Sequence, residues 1–369
     1  MPEGDGVDNF PKEPCEVQIL TRISKIFGCG QRHEVSYDDG RKVRRVWGIV
    51  DRSGQRFAKP TILFDSGRSD TLQIRLHNVC AAIPKTKRGG NMIKRWIITG
   101  DTHGQVVTRL GNITRNMDNI VPEETAVIIL GDAGLNYYLN KTDRKNKQYS
   151  SNFGLRIYCV RGNHEARPQN LESMKLVDDT DVGGKVYMEE KFPMIRYFVD
   201  GGEYTIDGKS VLVIGGAYSV DKYYRLARAN GGFSGWFEDE QLSAEERAEI
   251  LAKITGKRYD LVLTHTAPIT LEPTDLFLRG IDQSTVEKDM EYWLKEVALS
   301  ICWGHWLFGH YHADRIEAPH VEQFFNEYED LNDILNRWKL YDETGELEWW
   351  LPKSPYMQDV LNEAQSKMS

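Results

Sequence analysis

The chain has no apolar run near the ~18–20 residues that span a bilayer. Residues 1–9 are acidic and lack the apolar core of a signal peptide. A cytoplasmic location with no membrane partner is therefore expected. Cysteine is sparse: Cys15, Cys29, Cys80, Cys159 and Cys302 are odd in number, far apart and without a C-x-x-C pair. This pattern argues against a disulfide frame or a structural zinc site and fits a reducing compartment. Internal repeats, heptad seams and low-complexity tracts are also missing, so a solenoid, coiled-coil or linker-like protein is not expected.

A chain of 369 residues, 40% hydrophobic and 28% charged, falls in the globular range and is long for a single core. More than one folding unit is expected. The net charge of −8 is uneven: residues 1–90 carry 16 Lys and Arg against 11 Asp and Glu, leaving 31 against 44 in residues 91–369. A basic front joined to an acidic body raises a polyanion as a partner, although a solvated basic face explains the same excess.

Pro84-Lys85-Thr86-Lys87-Arg88-Gly89-Gly90 has no apolar periodicity and ends in two glycines, so residues 84–91 read as a linker. Before it, β-prone runs at 43–50, 61–64 and 71–79 alternate with Asp/Ser/Gly turn clusters. A small, mainly antiparallel β-domain over 1–83 is expected. After the linker, short dense apolar runs at 95–99, 126–130, 156–160, 211–214, 261–263 and 306–308 read as strands buried on both faces. Ser243-Ala244-Glu245-Glu246 and Ser284-Thr285-Val286-Glu287 match the capping box and predict helices running towards Ile254 and Leu299. The alternation is α/β. Residues 326–369 read as an acidic extension whose tryptophans, Trp338 among them, pack back on the body.

Five polar strings follow these runs: Gly100-Asp101-Thr102-His103-Gly104, Gly131-Asp132, Gly162-Asn163-His164-Glu165, Thr264-His265-Thr266 and Gly309-His310-Tyr311-His312. They hold five of the nine histidines. A satisfied core or surface histidine explains any one of them, but not their common place after strands, where open α/β sheets bind ligands. Asp101 and His103 can face one ion, and Asp132 adds a carboxylate whose two oxygens can bridge two ions. Asn163 contributes a neutral oxygen, and His265, His310 and His312 contribute nitrogens. Mixed N and O ligands suit Mn, Fe, Zn, Co or Ni better than calcium or magnesium, and Mn heads the expectation.

In this order the blocks G-D-x-H-G, G-D, G-N-H-[ED], a lone His and G-H-x-H resemble the calcineurin-like metallophosphoesterase superfamily over residues 92 to about 325. The resemblance implies two mixed β-sheets in a sandwich flanked by helices. It implies one ion held by Asp101, His103, Asp132 and His312, and a second by Asp132, Asn163, His265 and His310. It also implies in-line attack on phosphorus by a hydroxide shared between the ions, with His164 as general acid. Two departures bear on substrate. The protein Ser/Thr phosphatase branch carries an Asp and an Arg where this chain has Leu135 and Asn136, and purple acid phosphatases carry a Tyr at Leu135. Phosphoprotein and an iron-tyrosinate centre are both disfavoured, and Tyr137 and Tyr138 read as pocket wall or packing.

Substrate contacts are then expected elsewhere. Tyr218, Lys222 and Arg225 follow the glycine turn after residues 211–214, where a cation can hold phosphate and a tyrosine can stack on a base; a solvated helix face fits equally. Arg161 and Arg167 flank the catalytic string, as phosphate contacts or as salt bridges supporting the loop. Residues 272–282 have the features of a lid. The expected function is a dinuclear-metal phosphoesterase acting on a phosphodiester or nucleotide-type substrate. A phosphomonoesterase resembling protein phosphatases, and a nuclease delivered to nucleic acid by the basic front with Arg41, Lys42, Arg44, Arg45 and Trp47, are the alternatives.

Overall fold

A computed structural model describes residues 92–345 apart from 230, 231, 234 and 278–281, together with residues 347, 353, 355, 357 and 358 and four short strands before residue 71. The chain divides into two compact units, Met1–Gly89 and Gly90–Ser369. In the first, β1 (Val35–Ser36), β2 (Lys42–Trp47), β3 (Thr61–Phe64) and β4 (Ser69–Asp70) form one antiparallel sheet in that order. The strand expected over 71–79 and the linker over 84–91 lie outside the described residues.

The second unit opens with β5 (Arg95–Thr99), α1 (Val106–Asn116), β6 (Thr125–Ile129), α2 (Lys141–Ser151) and β7 (Arg156–Cys159). β8 (Met174–Asp179), β9 (Gly184–Glu189) and β10 (Ile195–Phe198) complete the first run of strands. A second run holds β11 (Gly202–Ile206), β12 (Lys209–Ile214), α3 (Lys222–Arg228), α4 (Ala244–Ile254), β13 (Arg258–Thr264) and α5 (Asp289–Ser300). β14 (Cys302–Phe308), β15 (Arg315–Ala318), β16 (Val321–Gln323), β17 (Tyr328–Asp330) and α6 (Leu331–Thr344) close it. Two mixed sheets result, ordered β17-β5-β6-β7-β10-β9-β8 and β11-β12-β13-β14-β16-β15. The expected sandwich is what forms.

Why these strands are so densely apolar follows from the pleat, which sends alternate residues to opposite faces. Trp96, Ile98, Ile128 and Tyr158 of one sheet meet Val211, Val213, Leu261 and Leu263 of the other in the central core. Their neighbours Ile97, Val127, Ile129 and Ile157 turn outwards onto α1, whose Val106, Leu110 and Ile113 recur at helical spacing. Leu212, Ile214, Val262 and Phe308 likewise turn onto Met290, Trp293, Leu294 and Val297 of α5. Neither face meets water. β5, β6 and β7 run parallel, as do β12, β13 and β14, and the loops that follow β5 and β6 of one sheet meet the loop that follows β13 of the other.

One predicted capping box forms: the Ser243 hydroxyl accepts the Glu246 N–H at 3.2 Å while the Glu246 carboxylate accepts the Ser243 N–H at 2.8 Å. The other does not. Asp282 accepts both the backbone N–H and the hydroxyl of Ser284, at 2.9 and 2.7 Å, and folds residues 283–285 into a single 3-10 turn. The α-helix starts later, at Asp289. A nearer aspartate thus outcompetes Glu287 for the turn's orphan donors. Residues 328–344 pack on the body: β17 pairs antiparallel with β5, and Trp338 of α6 is fully buried in the core between the sheets. Trp338 donates its indole N–H to buried Glu322. Among the described residues no helix is long and apolar enough to cross a membrane.

Candidate metal centre

Each predicted ligand sits one to four residues beyond the end of a parallel strand: Asp101 after β5, Asp132 after β6, Asn163 after β7, His265 after β13 and His310 after β14. The glycines of the strings set how closely these ends converge. A Cβ on Gly131 would lie 1.9 Å from His265 Nδ1, and one on Gly162 would lie 1.9 Å from Asp132 Oδ1. Any side chain there would displace a predicted ligand. Four of the predicted ligands also occupy the left-handed region: His103 (φ 44°), Asp132 (φ 47°), His310 (φ 70°) and His312 (φ 53°). Such conformations cost on the order of 1–3 kcal/mol each and persist where the surroundings impose them, typically at functional sites.

The side chains meet as the strings require. Asp101 Oδ2 lies 3.5 Å from His312 Nε2 and 3.8 Å from His103 Nε2. Asp132 Oδ2 lies 3.7 Å from His265 Nε2 and 3.8 Å from His103 Nδ1. Two overlapping groups result, Asp101 with His103 and His312, and Asp101 with Asp132 and His265, the donor atoms of each lying within 4.8 Å of one another. The His310 ring stands edge-on to His265 with centroids 5.0 Å apart.

The donor set fits cations rather than a self-contained hydrogen-bond network. His265 Nδ1 contacts the Leu130 carbonyl at 2.9 Å, so the proton belongs on that nitrogen and Nε2 carries a lone pair. That lone pair faces Asn163 Oδ1 at 2.8 Å. The amide is held in this sense because its NH2 donates to Ser219 Oγ at 2.8 Å. Two acceptors in contact need a positive charge between them. Asp101 Oδ2 is buried with no hydrogen-bond donor, and buried polar atoms of this kind call for an explanation. Burial alone would raise the Asp132 carboxyl, yet His164, His265 and His103 hold it well below the usual carboxylate range. Burial, reinforced by His265, pushes His310 down towards the neutral, ligating form.

A supporting layer surrounds these ligands, and most of it was not apparent in the sequence. Glu165 is fully buried and accepts the N–H groups of Gly134 and Leu135 at 2.6 and 3.3 Å, fixing the turn after Asp132. Burial, then the Asp132 charge, pushes its carboxyl up to about 8. Its place in the Gly-Asn-His-Glu string was the available signal. Glu240 accepts the Ser219 hydroxyl at 2.5 Å and its N–H at 2.9 Å, so Ser219 is left to accept from Asn163. No motif announced that pair. Ser219→Ala is expected to free the Asn163 amide and weaken affinity for its ion by roughly 10–100-fold, the usual cost of losing an orienting partner. Calorimetric titration of apoprotein with Mn²⁺ measures it; unchanged affinity for both ions would exclude the role.

His164 sits beside the ligand cluster. Its N–H donates to Asp132 Oδ1 at 2.8 Å, and its Nε2 lies 3.9 Å from Asp132 Oδ2 and 3.5 Å from Arg225 Nη2. Burial lowers its pKa, Asp132 opposes the shift and Arg225 adds to it. Of the five proposed substrate contacts, Arg225 therefore reaches the centre. Arg161 does not present free donors: its buried guanidinium binds Asp200 at 2.9 Å and the carbonyls of Glu240 and Gly215 at 2.6 and 3.2 Å. Arg167 is likewise taken up by the carbonyls of Asp239 and Gln241 and by Glu246. Both hold the segment around residue 240 against the catalytic loop. Tyr218 is buried, with the Lys222 ammonium 5.8 Å from its ring, and that ammonium sits 4.4 Å over Trp236. Leu135 is core, and Asn136 accepts the Lys147 ammonium at 2.6 Å, so neither position is spare for a phosphatase helper.

No curated protein matches the chain. A family model of calcineurin-like phosphoesterases matches residues 94–314, which carry all five strings and every predicted ligand. That match covers more than half of the sequence, and the fold agrees with it. The chain belongs to the calcineurin-like phosphoesterase family and is a metal-dependent phosphoesterase of its dinuclear kind.

Proposed function

We propose that the enzyme hydrolyses a phosphodiester of nucleotide type, with Mn²⁺ as its ion, and that His164 protonates the leaving oxygen. When bound, the ions supply positive charge that polarises the phosphoryl group and activates water. Asp101, His103, Asp132 and His312 would hold one ion, and Asp132, Asn163, His265 and His310 the other. The observation that carries the reading is the position of His164: anchored through its backbone on Asp132, yet with its ring outside the ligand groups. A group placed there can give a proton to the oxygen that departs as the P–O bond breaks.

Charge favours a diester over a monoester. A monoester dianion needs a cationic grip beyond the ions, and Arg161 and Arg167 are committed within the protein. Arg225 stands next to His164, but its Nε is bound to Asp221 and one Nη to Tyr137, at 2.7 Å each. Chelated protein is expected to be inert, and Mn²⁺ to restore turnover of bis-p-nitrophenyl phosphate above that of p-nitrophenyl phosphate. A reversed preference would reject the diester reading, and turnover without metal would reject the site.

A further inference from the structure

The proton donor marks the side of the substrate that its neighbours touch. If His164 serves the leaving oxygen, as proposed above, the groups around it meet the leaving group, and the present inference rests on that reading. Those groups are aromatic and cationic. Arg225 links His164 to the Tyr137 hydroxyl, with Nη2 3.5 Å from the one and Nη1 2.7 Å from the other. The Tyr137 ring is edge-on to Tyr138 at 4.7 Å and to Phe237 at 6.4 Å. Tyr138 is 50% exposed, and Tyr223 and Tyr224, beside Arg225 on α3, are 69% and 60% exposed. Cations alternate with the rings: Lys222 lies over Trp236, and Arg228 lies 5.3 Å from the Tyr224 centroid.

Large rings left in water next to a reactive centre mark a binding surface rather than unfinished packing. Their flat faces suit a flat partner, and the interleaved cations suit one that carries more than one phosphate. We propose that Tyr137 and Tyr138, tied to the centre through Arg225, form a base-stacking platform for the leaving group, which makes the substrate a nucleotide or short single-stranded oligonucleotide. A phosphotyrosine peptide also offers a ring. It carries its single phosphate on that ring, however, and so offers no second phosphate to Lys222 and Arg228.

The test is binding to the Mn-loaded full-length protein, measured calorimetrically with adenosine 5′-monophosphate, inorganic phosphate and a phosphotyrosine peptide. The nucleotide is expected to bind roughly 5–100-fold more tightly than phosphate, the range that stacking of one base supplies. Tyr138→Ala is expected to remove most of that advantage while the phosphate value stays, and Tyr138→Phe to keep it. Equal affinities for nucleotide and phosphate would overturn the platform, as would an unchanged ratio in Tyr138→Ala. A phosphotyrosine peptide that alone responds to Tyr138→Ala would overturn it in favour of a protein substrate. Because the readout is affinity, Mn-dependent diester hydrolysis alongside any of these results leaves the phosphoesterase reading intact and rejects the platform alone.

Discussion

Asp132→Asn is expected to lose metal and turnover together, with an affinity loss exceeding the ~10–100-fold that orienting partners alone cost. The side chain is fully buried, and both of its oxygens are engaged. Oδ1 accepts the His164 N–H at 2.8 Å, while Oδ2 faces His265, His103 and His164 at 3.7, 3.8 and 3.9 Å. Asparagine preserves the volume, can keep the Oδ1 contact and tolerates the left-handed backbone at this position. It removes the charge and points an NH2 at the cluster, where a cation should sit. The fold should therefore persist, although without metal the variant should be less stable than the parent, because the histidines that hold the Asp132 carboxyl below its usual range lose that charge. Metal at a hundredfold over its Kd adds about 2.7 kcal/mol to a protein that binds it only when folded. Addition of Mn²⁺ should then raise the melting temperature of the parent and leave that of the variant in place. Normal metal content with normal turnover would remove Asp132 from the centre.

The central strands were readable because they are buried on both faces. A run such as Trp96-Ile97-Ile98 must supply apolar groups to the opposing sheet and to α1 at once, which leaves no room for alternation with polar residues. The candidate ligands stood out for the converse reason: polar strings that begin where such runs stop have no packing role to fill. What the sequence concealed depends on partners far away in the chain. Arg161 and Arg167 look like phosphate contacts until the fold brings up Asp200 and the carbonyls of residues 239–241 to occupy them. Ser284 looks like a helix cap until Asp282 takes its N–H. The Ser219–Glu240 pair joins two loops 21 residues apart through one hydroxyl and one backbone N–H, and hydroxyls and carboxylates in loops are ordinarily just solvated.

His164→Gln separates the proposed acid from the candidate ligands beside it. The variant is expected to keep both ions, since the imidazole lies outside the ligand groups, and its backbone N–H to Asp132 Oδ1 remains. It is expected to lose about 10²–10⁴ in kcat on diesters with alkyl leaving groups, the contribution of a positioned proton donor. On p-nitrophenyl esters the loss should shrink to about tenfold or less, because a stabilised phenolate departs without needing the proton. Glutamine can still hydrogen-bond to the departing oxygen and to Arg225, but its amide has no proton to give up. The dependence of rate on leaving-group basicity should accordingly steepen in the variant while metal content stays at the parental value. An unchanged rate on alkyl diesters would take His164 out of the chemistry, and loss of an ion would make it a ligand instead. Equal losses on both leaving groups would assign it to holding the phosphoryl group, beside Arg225, rather than to the proton.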